Sequence, residues 1–182
     1  MHGYYAVIEG EAPRLAPGLA QATSWGSGRY EDAVEGGPWR IMAPQGFIHV
    51  EMDGPCSAGS VIGRVGVETN QLAGCLVIAA MQHDGAERWQ RYYFAHVTSD
   101  KYNSPDRVDE FRAVITHSAR AFLLVANQGW GGVEDVVSAV QRWANPPIPD
   151  DRTTVYAYSG IGQTFGMQLS DGSVGQFNAS WV

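Results

Sequence analysis

Two cysteines and five histidines supply the side chains from which a nucleophile and its base can be drawn. One combination has the right spacing. Cys75 opens the apolar run Cys75-Leu76-Val77-Ile78-Ala79-Ala80 directly after Ala73-Gly74, and His96 lies in a second strand-forming run, Tyr92-Tyr93-Phe94-Ala95-His96-Val97. Between them, Asp84-Gly85-Ala86-Glu87 is a turn signal. With Gly85 and Ala86 as the two loop residues, the antiparallel register pairs Cys75 with His96, their Cβ atoms about 4.5–5.5 Å apart. A slip of one residue would send the two to opposite faces. An imidazole so placed takes the thiol proton, and the thiolate attacks a carbonyl or carboxamide carbon. Ala73 and Gly74, small residues ahead of the nucleophile, let a substrate backbone come close and offer N–H groups to a developing oxyanion. Gly74 also suits a positive φ where the strand begins. The plainer alternative makes Cys75 a small buried hydrophobe and His96 a satisfied strand histidine.

Other candidates carry less. His49, Glu51 and Asp53 alternate along one strand face, where a metal would need a further ligand from elsewhere; a solvated face is expected, with no metal and no cofactor. His117 falls near a helix C-terminus and suits a capping role. His83, paired with Arg88 beside the turn, is expected to be exposed and far from Cys75. The glycines of Ser159-Gly160-Ile161-Gly162-Gln163-Thr164-Phe165-Gly166 lack a following Gly-Lys-Ser/Thr and mark turns rather than a phosphate loop. Cys56 follows a Gly54-Pro55 turn. Two reduced thiols are expected, although oxidising surroundings could join Cys56 to Cys75 and silence the nucleophile. Trp39, Trp89, Trp130 and Trp143 suit core or rim positions.

The elements that must position the pair are mostly strands. Gly accounts for 22 of the 182 residues, well above the usual share of roughly 7%, which favours tight turns and short strands. Strands are expected near 4–9, 39–43, 46–52, 60–68, 75–82, 89–97, 120–127, 154–158, 163–169 and 173–177, the last two joined by Ser170-Asp171-Gly172. In the 60–68 run, Val61, Gly63, Val65 and Val67 share one face. Residues 10–38, rich in Gly, Ala, Pro and Ser, form a long irregular connection. One helix starts at Ser104-Pro105-Asp106, with a hydroxyl N-cap and Pro at N1, and carries Val108, Phe111, Val114 and Ile115 as its apolar stripe to about 118. A second runs over 133–144 with Val133, Val136, Val137, Val140 and Trp143 on one face and stops before Asn145-Pro146-Pro147. The sum is an α+β chain, a strand-rich layered sheet or β-sandwich core with two outer helices.

Composition narrows the function. Hydrophobic residues at 45% and charged residues at 17% describe one globular domain over 1–182, and the formal net charge of −7 disfavours nucleic acid as a partner. No apolar run is long enough to span a bilayer as a helix, and Met1–Glu9 lacks a basic stretch leading into an apolar one, so no Sec-type leader is expected. Two cysteines are too few for a disulfide framework. The chain has no internal repeat and no charge block.

The residues around the pair resemble a known group. Thr69-x-x-Leu72-Ala73-Gly74-Cys75, an apolar strand and a His on the returning strand are similar to the Thr…Leu-Ser/Gly-Gly/Ser-Cys…His signature of bacterial Cys–His glutamine deamidases. These include the chemoreceptor deamidase CheD, the cytotoxic necrotizing factor catalytic domain and the Burkholderia lethal factor. Ala73 stands where Ser or Gly is usual. The element order after His96 also resembles the chemoreceptor enzyme: a helix, a strand ending in Gly129-Trp130-Gly131-Gly132, a helix, then closing strands. The resemblance covers about residues 60–180, leaving 1–59 as an N-terminal extension packed on that core. It implies a CheD-like or cytotoxic-necrotizing-factor-like fold, with Cys75 as nucleophile, His96 as base and Thr69 orienting the imidazole. It further implies hydrolysis of a glutamine side chain on a target protein by a monomeric enzyme. That enzyme would stay in the bacterial cytoplasm or be exported into a host cell as an effector or toxin without a Sec leader. A papain-like protease, acyltransferase or transglutaminase uses the same pair, and a non-catalytic β-rich binding or inhibitory module uses neither residue chemically.

Overall fold

The structure, a computed structural model, describes residues 3–7, 14–16, 34–35, 39–43, 45–83, 88–116, 119–126, 133–158 and 163–177. Among them are thirteen strands: β1 (Gly3–Val7), β2 (Arg14–Ala16), β3 (Val34–Glu35), β4 (Trp39–Met42), β5 (Phe47–His49), β6 (Ser57–Ser60), β7 (Gly66–Leu72), β8 (Cys75–His83), β9 (Trp89–Thr98), β10 (Ala119–Ala126), β11 (Thr153–Tyr158), β12 (Gln163–Gln168) and β13 (Val174–Phe177). Two helices, α1 (Pro105–Val114) and α2 (Val133–Gln141), and a 3₁₀ turn at Asp150–Arg152 complete them. The strands form two open sheets, one of eight strands in the order β3-β2-β1-β11-β10-β8-β9-β6 and one of five in the order β4-β13-β12-β7-β5. The class is the expected strand-rich α+β. Among the described residues no helix is long and apolar enough to cross a membrane.

Three layers follow from which faces are apolar. One face of the eight-stranded sheet presents Leu76, Ile78, Ala80, Tyr93, Ala95 and Val97 to Phe111 and Ile115 near α1 and to Val136, Val140 and Trp143 in and after α2. Phe111 packs edge-on against both Tyr93 and Trp143, at centroid distances of 5.2 and 5.4 Å. The opposite face, with Val77, Ala79, Met81, Tyr92 and Phe94, closes on Val67, Leu72, Phe165, Met167 and Val174 of the smaller sheet. β8 is therefore covered on both sides, which is why its sequence runs apolar without alternation. Residues before position 60 contribute strands to both sheets; β1 lies parallel to β11, and β6 pairs with β9.

Several local expectations need correction. The 60–68 run is not one strand. The chain turns at 61–65, with Gly63 at φ 74°, and the new strand begins at Gly66. Val65 is 51% exposed while Val67 is buried and Val61 packs on the same intersheet core, so the alternating valines do not all share one face. Helix α1 ends at Val114 rather than 118, because Ile115 adopts extended geometry with its N–H on the Phe111 carbonyl. Ser104 caps α1 without a side-chain hydrogen bond, its carbonyl accepting the Val108 N–H. Helix α2 ends at Gln141, and Trp143 closes a turn onto the Val140 carbonyl.

The β8–β9 register differs from the expected one by two residues. Cys75 pairs with Thr98 and Val77 with His96. One residue of the offset arises at an irregularity near the far end of the ladder, where His83 pairs with Trp89 but Gln82 with Arg91, which leaves Gln90 as an extra residue; the other is already present at His83, which pairs with Trp89 rather than the expected Arg88. An even shift preserves the face of every side chain, so Cys75 and His96 still point the same way. His83 is half-buried against the Trp89 ring at 3.7 Å, not exposed. The expectations for Gly85, Ala86, His117, Gly129–Gly132, Trp130 and Gly160–Gly162 lie outside the described residues.

Candidate active site

Cys75 is the first residue of β8, and the turn before it is set by backbone conformation. Gly74 has φ 110°, a region L side chains rarely adopt, although a Cβ there would meet open space. Glycine is required for its dihedral, not for room. Ala73 and Gly74 are exposed, while Cys75 itself is only 4% exposed, so the sulfur sits just under the surface at the mouth of this turn.

The three residues expected to act together are in contact. His96 Nε2 lies 2.7 Å from Cys75 Sγ, and Thr69 Oγ1 lies 2.8 Å from His96 Nδ1. The imidazole reaches the sulfur diagonally across the ladder, within the range of side chains two positions off register. Thr69 comes from β7, so the chain of contacts begins on the five-stranded sheet and ends on the eight-stranded one. Thr69 and His96 are 1% and 2% exposed.

Hydrogen-bond accounting fixes the tautomer. The Thr69 hydroxyl donates to the Val50 carbonyl at 2.7 Å, and a carbonyl can only accept. The hydroxyl has a single proton, so toward His96 its oxygen is the acceptor and Nδ1 carries the hydrogen. Nε2 is then the basic nitrogen and faces the thiol. Burial pulls the imidazole from its usual range to about 4, against the opposing pull of the Asp53 and Glu51 carboxylates; His49 adds to the depression. At neutral pH the imidazole is thus uncharged, with Nε2 toward Cys75 Sγ. A neutral imidazole so placed has the geometry of a general base.

The segment between β5 and β6 ties these parts together. Val50 N–H donates to the Glu68 carbonyl on β7, Met52 bridges to His96, and Asp53 N–H donates to the His96 carbonyl at 2.8 Å. The strap over 50–53 therefore starts on one sheet and ends on the other, spanning the place where Thr69 meets His96. Sequence reasoning missed both Val50, which acts through a backbone atom, and Asp53. The available signal for the latter was Asp53-Gly54-Pro55, a turn sequence in which Asp tolerates the left-handed φ of 55° that it adopts.

That φ dismantles the alternating His49-Glu51-Asp53 face. His49 bonds Glu68 at 2.7 Å and lies 3.4 Å from Glu51, whereas Asp53 turns to Thr98 and Lys101. The described residues contain no group of three or more His, Cys, Asp or Glu that could hold a metal ion. Neither thiol is in a disulfide, and the sheet separates them, Cys56 packing on the helix-side core and Cys75 in the intersheet core. A Cys56–Cys75 disulfide is incompatible with this fold. Burial and the Glu110 carboxylate push the Cys56 thiol up to about 11, which leaves it unreactive. Comparison with protein-family models and with curated proteins finds no match to this chain.

Proposed function

We propose that the chain is a protein-glutamine deamidase. The observation that carries the catalytic part is the continuous Thr69–His96–Cys75 chain of contacts with Nε2 turned to sulfur. The choice of a glutamine carboxamide rests on the resemblance of Thr69-x-x-Leu72-Ala73-Gly74-Cys75…His96 to the glutamine deamidases, whose fold we extend to this chain on the same ground. The target is a protein, and the setting is that of a bacterial effector or toxin.

In this reading His96 Nε2 takes the Cys75 proton as sulfur adds to the amide carbon. The imidazolium returns the proton to the departing nitrogen, which leaves as ammonia, and a thioester remains. Water then gives a proton to Nε2 while its oxygen attacks the thioester. The C–S bond breaks, the thiol is reprotonated and a glutamate side chain is released. Thr69, accepting from Nδ1–H throughout, holds the ring in the tautomer both steps need. The exposed Ala73-Gly74 turn gives the substrate its approach.

The test is incubation with candidate target proteins or lysate, followed by peptide mass spectrometry and an ammonia assay, with Cys75→Ser as the blank. Amide-to-acid conversion at glutamine with stoichiometric ammonia is expected. Chain cleavage would reassign the site to a protease, and incorporation of an added amine to a transglutaminase. If Cys75 alkylates no faster in the wild type than in His96→Ala, the catalytic reading is lost and a β-rich binding module takes its place.

A further inference from the structure

Asp53 makes more bonds to the end of β9 than a loop residue needs. Its N–H donates to the His96 carbonyl at 2.8 Å. Its Oδ1 accepts from the Thr98 N–H at 3.0 Å, and both carboxylate oxygens accept from the Thr98 hydroxyl at 3.2 Å. Lys101 Nζ closes the set at 3.0 Å on Oδ2. Burial pushes this carboxyl up, but the bonds from Thr98 and Lys101 outweigh it and hold it below its usual range, so the side chain is charged.

These partners are the residues that matter at the candidate site. His96 carries the base, and Thr98 is the ladder partner of Cys75. One residue, in a left-handed conformation that Asp tolerates better than most side chains, therefore grips β9 at His96 and at the position across from Cys75. The bracket lies on the edge of β9 away from β8, where β6 has ended at Ser57 and no longer pairs with the strand. Without Asp53, the last residues of β9 would lose the support that β6 gives the rest of it.

We propose that Asp53 is a positioning residue for the Cys75–His96 pair, bracketing His96–Thr98 so that the imidazole meets both Thr69 and the sulfur. The proposal rests on reading His96 as the base of Cys75 and is independent of the substrate. Its negative charge adds to the effect, because it favours the imidazolium formed as the thiol ionises. A displacement near 1 Å at such a pair is enough to cost orders of magnitude in rate.

The test is iodoacetamide alkylation of Cys75 near neutral pH in chains carrying Cys56→Ser, read by mass spectrometry, with NMR detection of an exchange-protected His96 Nδ1–H. His96→Ala comes first: an unchanged rate there overturns the Cys–His reading on which the proposal stands. Given a slow His96→Ala, Asp53→Ala is expected to slow alkylation about tenfold or more and to lose the protected proton. Asp53→Asn, which keeps an acceptor for the Thr98 N–H, is expected to recover most of that rate. A folded Asp53→Ala with the wild-type rate and signal overturns the positioning role alone, and so does an Asn variant as slow as the Ala one. If Asp53→Ala fails to fold, Thr98→Val carries the test, since it removes the hydroxyl bonded to both carboxylate oxygens. About a threefold slowing with a shifted Nδ1–H signal is then expected, and no change in either overturns the proposal.

Discussion

Thr69 and His96 belong to different sheets, and the 2.8 Å hydrogen bond between them decides which ring nitrogen faces Cys75. The bond has a direction because the Val50 carbonyl has already taken the hydroxyl proton. On the proposed reading, a threonine here takes the place that a carboxylate has in Ser–His–Asp triads, without adding charge. The imidazole is oriented but stays weakly basic.

Replacing Thr69 by Val should therefore separate orientation from packing. The variant keeps the shape but leaves His96 Nδ1–H and the Val50 carbonyl buried and unpaired, a loss of about 1–3 kcal/mol in folding free energy. Cys75 alkylation should fall about tenfold or more as the ring loses its fixed tautomer. Thr69→Ser should keep most of both. Urea denaturation and alkylation kinetics on the three chains check this.

Lowering the pH should act on His96 later than on an ordinary histidine. With the ring at about 4, the basic form persists through the mildly acidic range, and Cys75 reactivity should drop only as pH falls through that value. Stability follows a different course. In the unfolded chain the ring takes up its proton near 6.5, so between there and about 4 the unfolded state binds more protons and folding weakens as pH falls, by up to about 3 kcal/mol. Thermal melts of wild type and His96→Gln across this window should show a shallower decline in the variant.

Gly74→Ala should cost more in chemistry than in stability. The added methyl has open space around it, so the penalty is conformational, about 1–3 kcal/mol for a non-glycine at φ 110°. Relief of that strain would shift the start of β8 and with it the sulfur. The expected result is a folded protein with much slower Cys75 alkylation, measured beside its denaturation midpoint.

Gly172→Ala should show the reverse. A Cβ there would lie 2.7 Å from the Trp89 ring, at a residue with φ 71°, far from the thiol. A destabilisation of about 1–3 kcal/mol is expected, with alkylation of the folded protein unchanged. Calorimetry and alkylation below the melting range test the two halves of that statement.

Mild oxidation should leave the two thiols unjoined. Cys56 and Cys75 pack on opposite faces of the eight-stranded sheet, so diamide treatment of the folded chain should give no internal disulfide by intact mass. The same treatment in denaturant, where the sheet no longer separates them, should give one.

The Cys75–His96 pair was legible because period two is robust: the turn guess put β9 two residues out of register, yet Cys75 and His96 kept a common face. The bulge at Gln90, which supplies one residue of that offset, has no marker in its own residue type. The apolar run of β8 and the stripes of α1 and α2 announced buried elements, and Phe111, Val136 and Val140 pack on the sheet as that pattern required, while Ile115 and Trp143 do so from beyond the helix ends. What local pattern could not show was pairing between distant segments, such as β1 beside β11 or Thr69 across from His96. The false strand over 60–68 has the same origin, since alternating valines satisfied the pattern while Gly63 broke the chain. Asp53 looked like one member of an alternating face until its left-handed φ turned it to Thr98.

The strap over 50–53 has a consequence for the life of the chain before it is folded. Its two ends are fixed to different sheets, and the three reactive side chains meet only where it crosses. A chain whose five-stranded sheet is unformed can still pair β8 with β9, but its His96 lacks the contact from Thr69. On the proposed reading, the docking of the two sheets is therefore the folding step that completes the site.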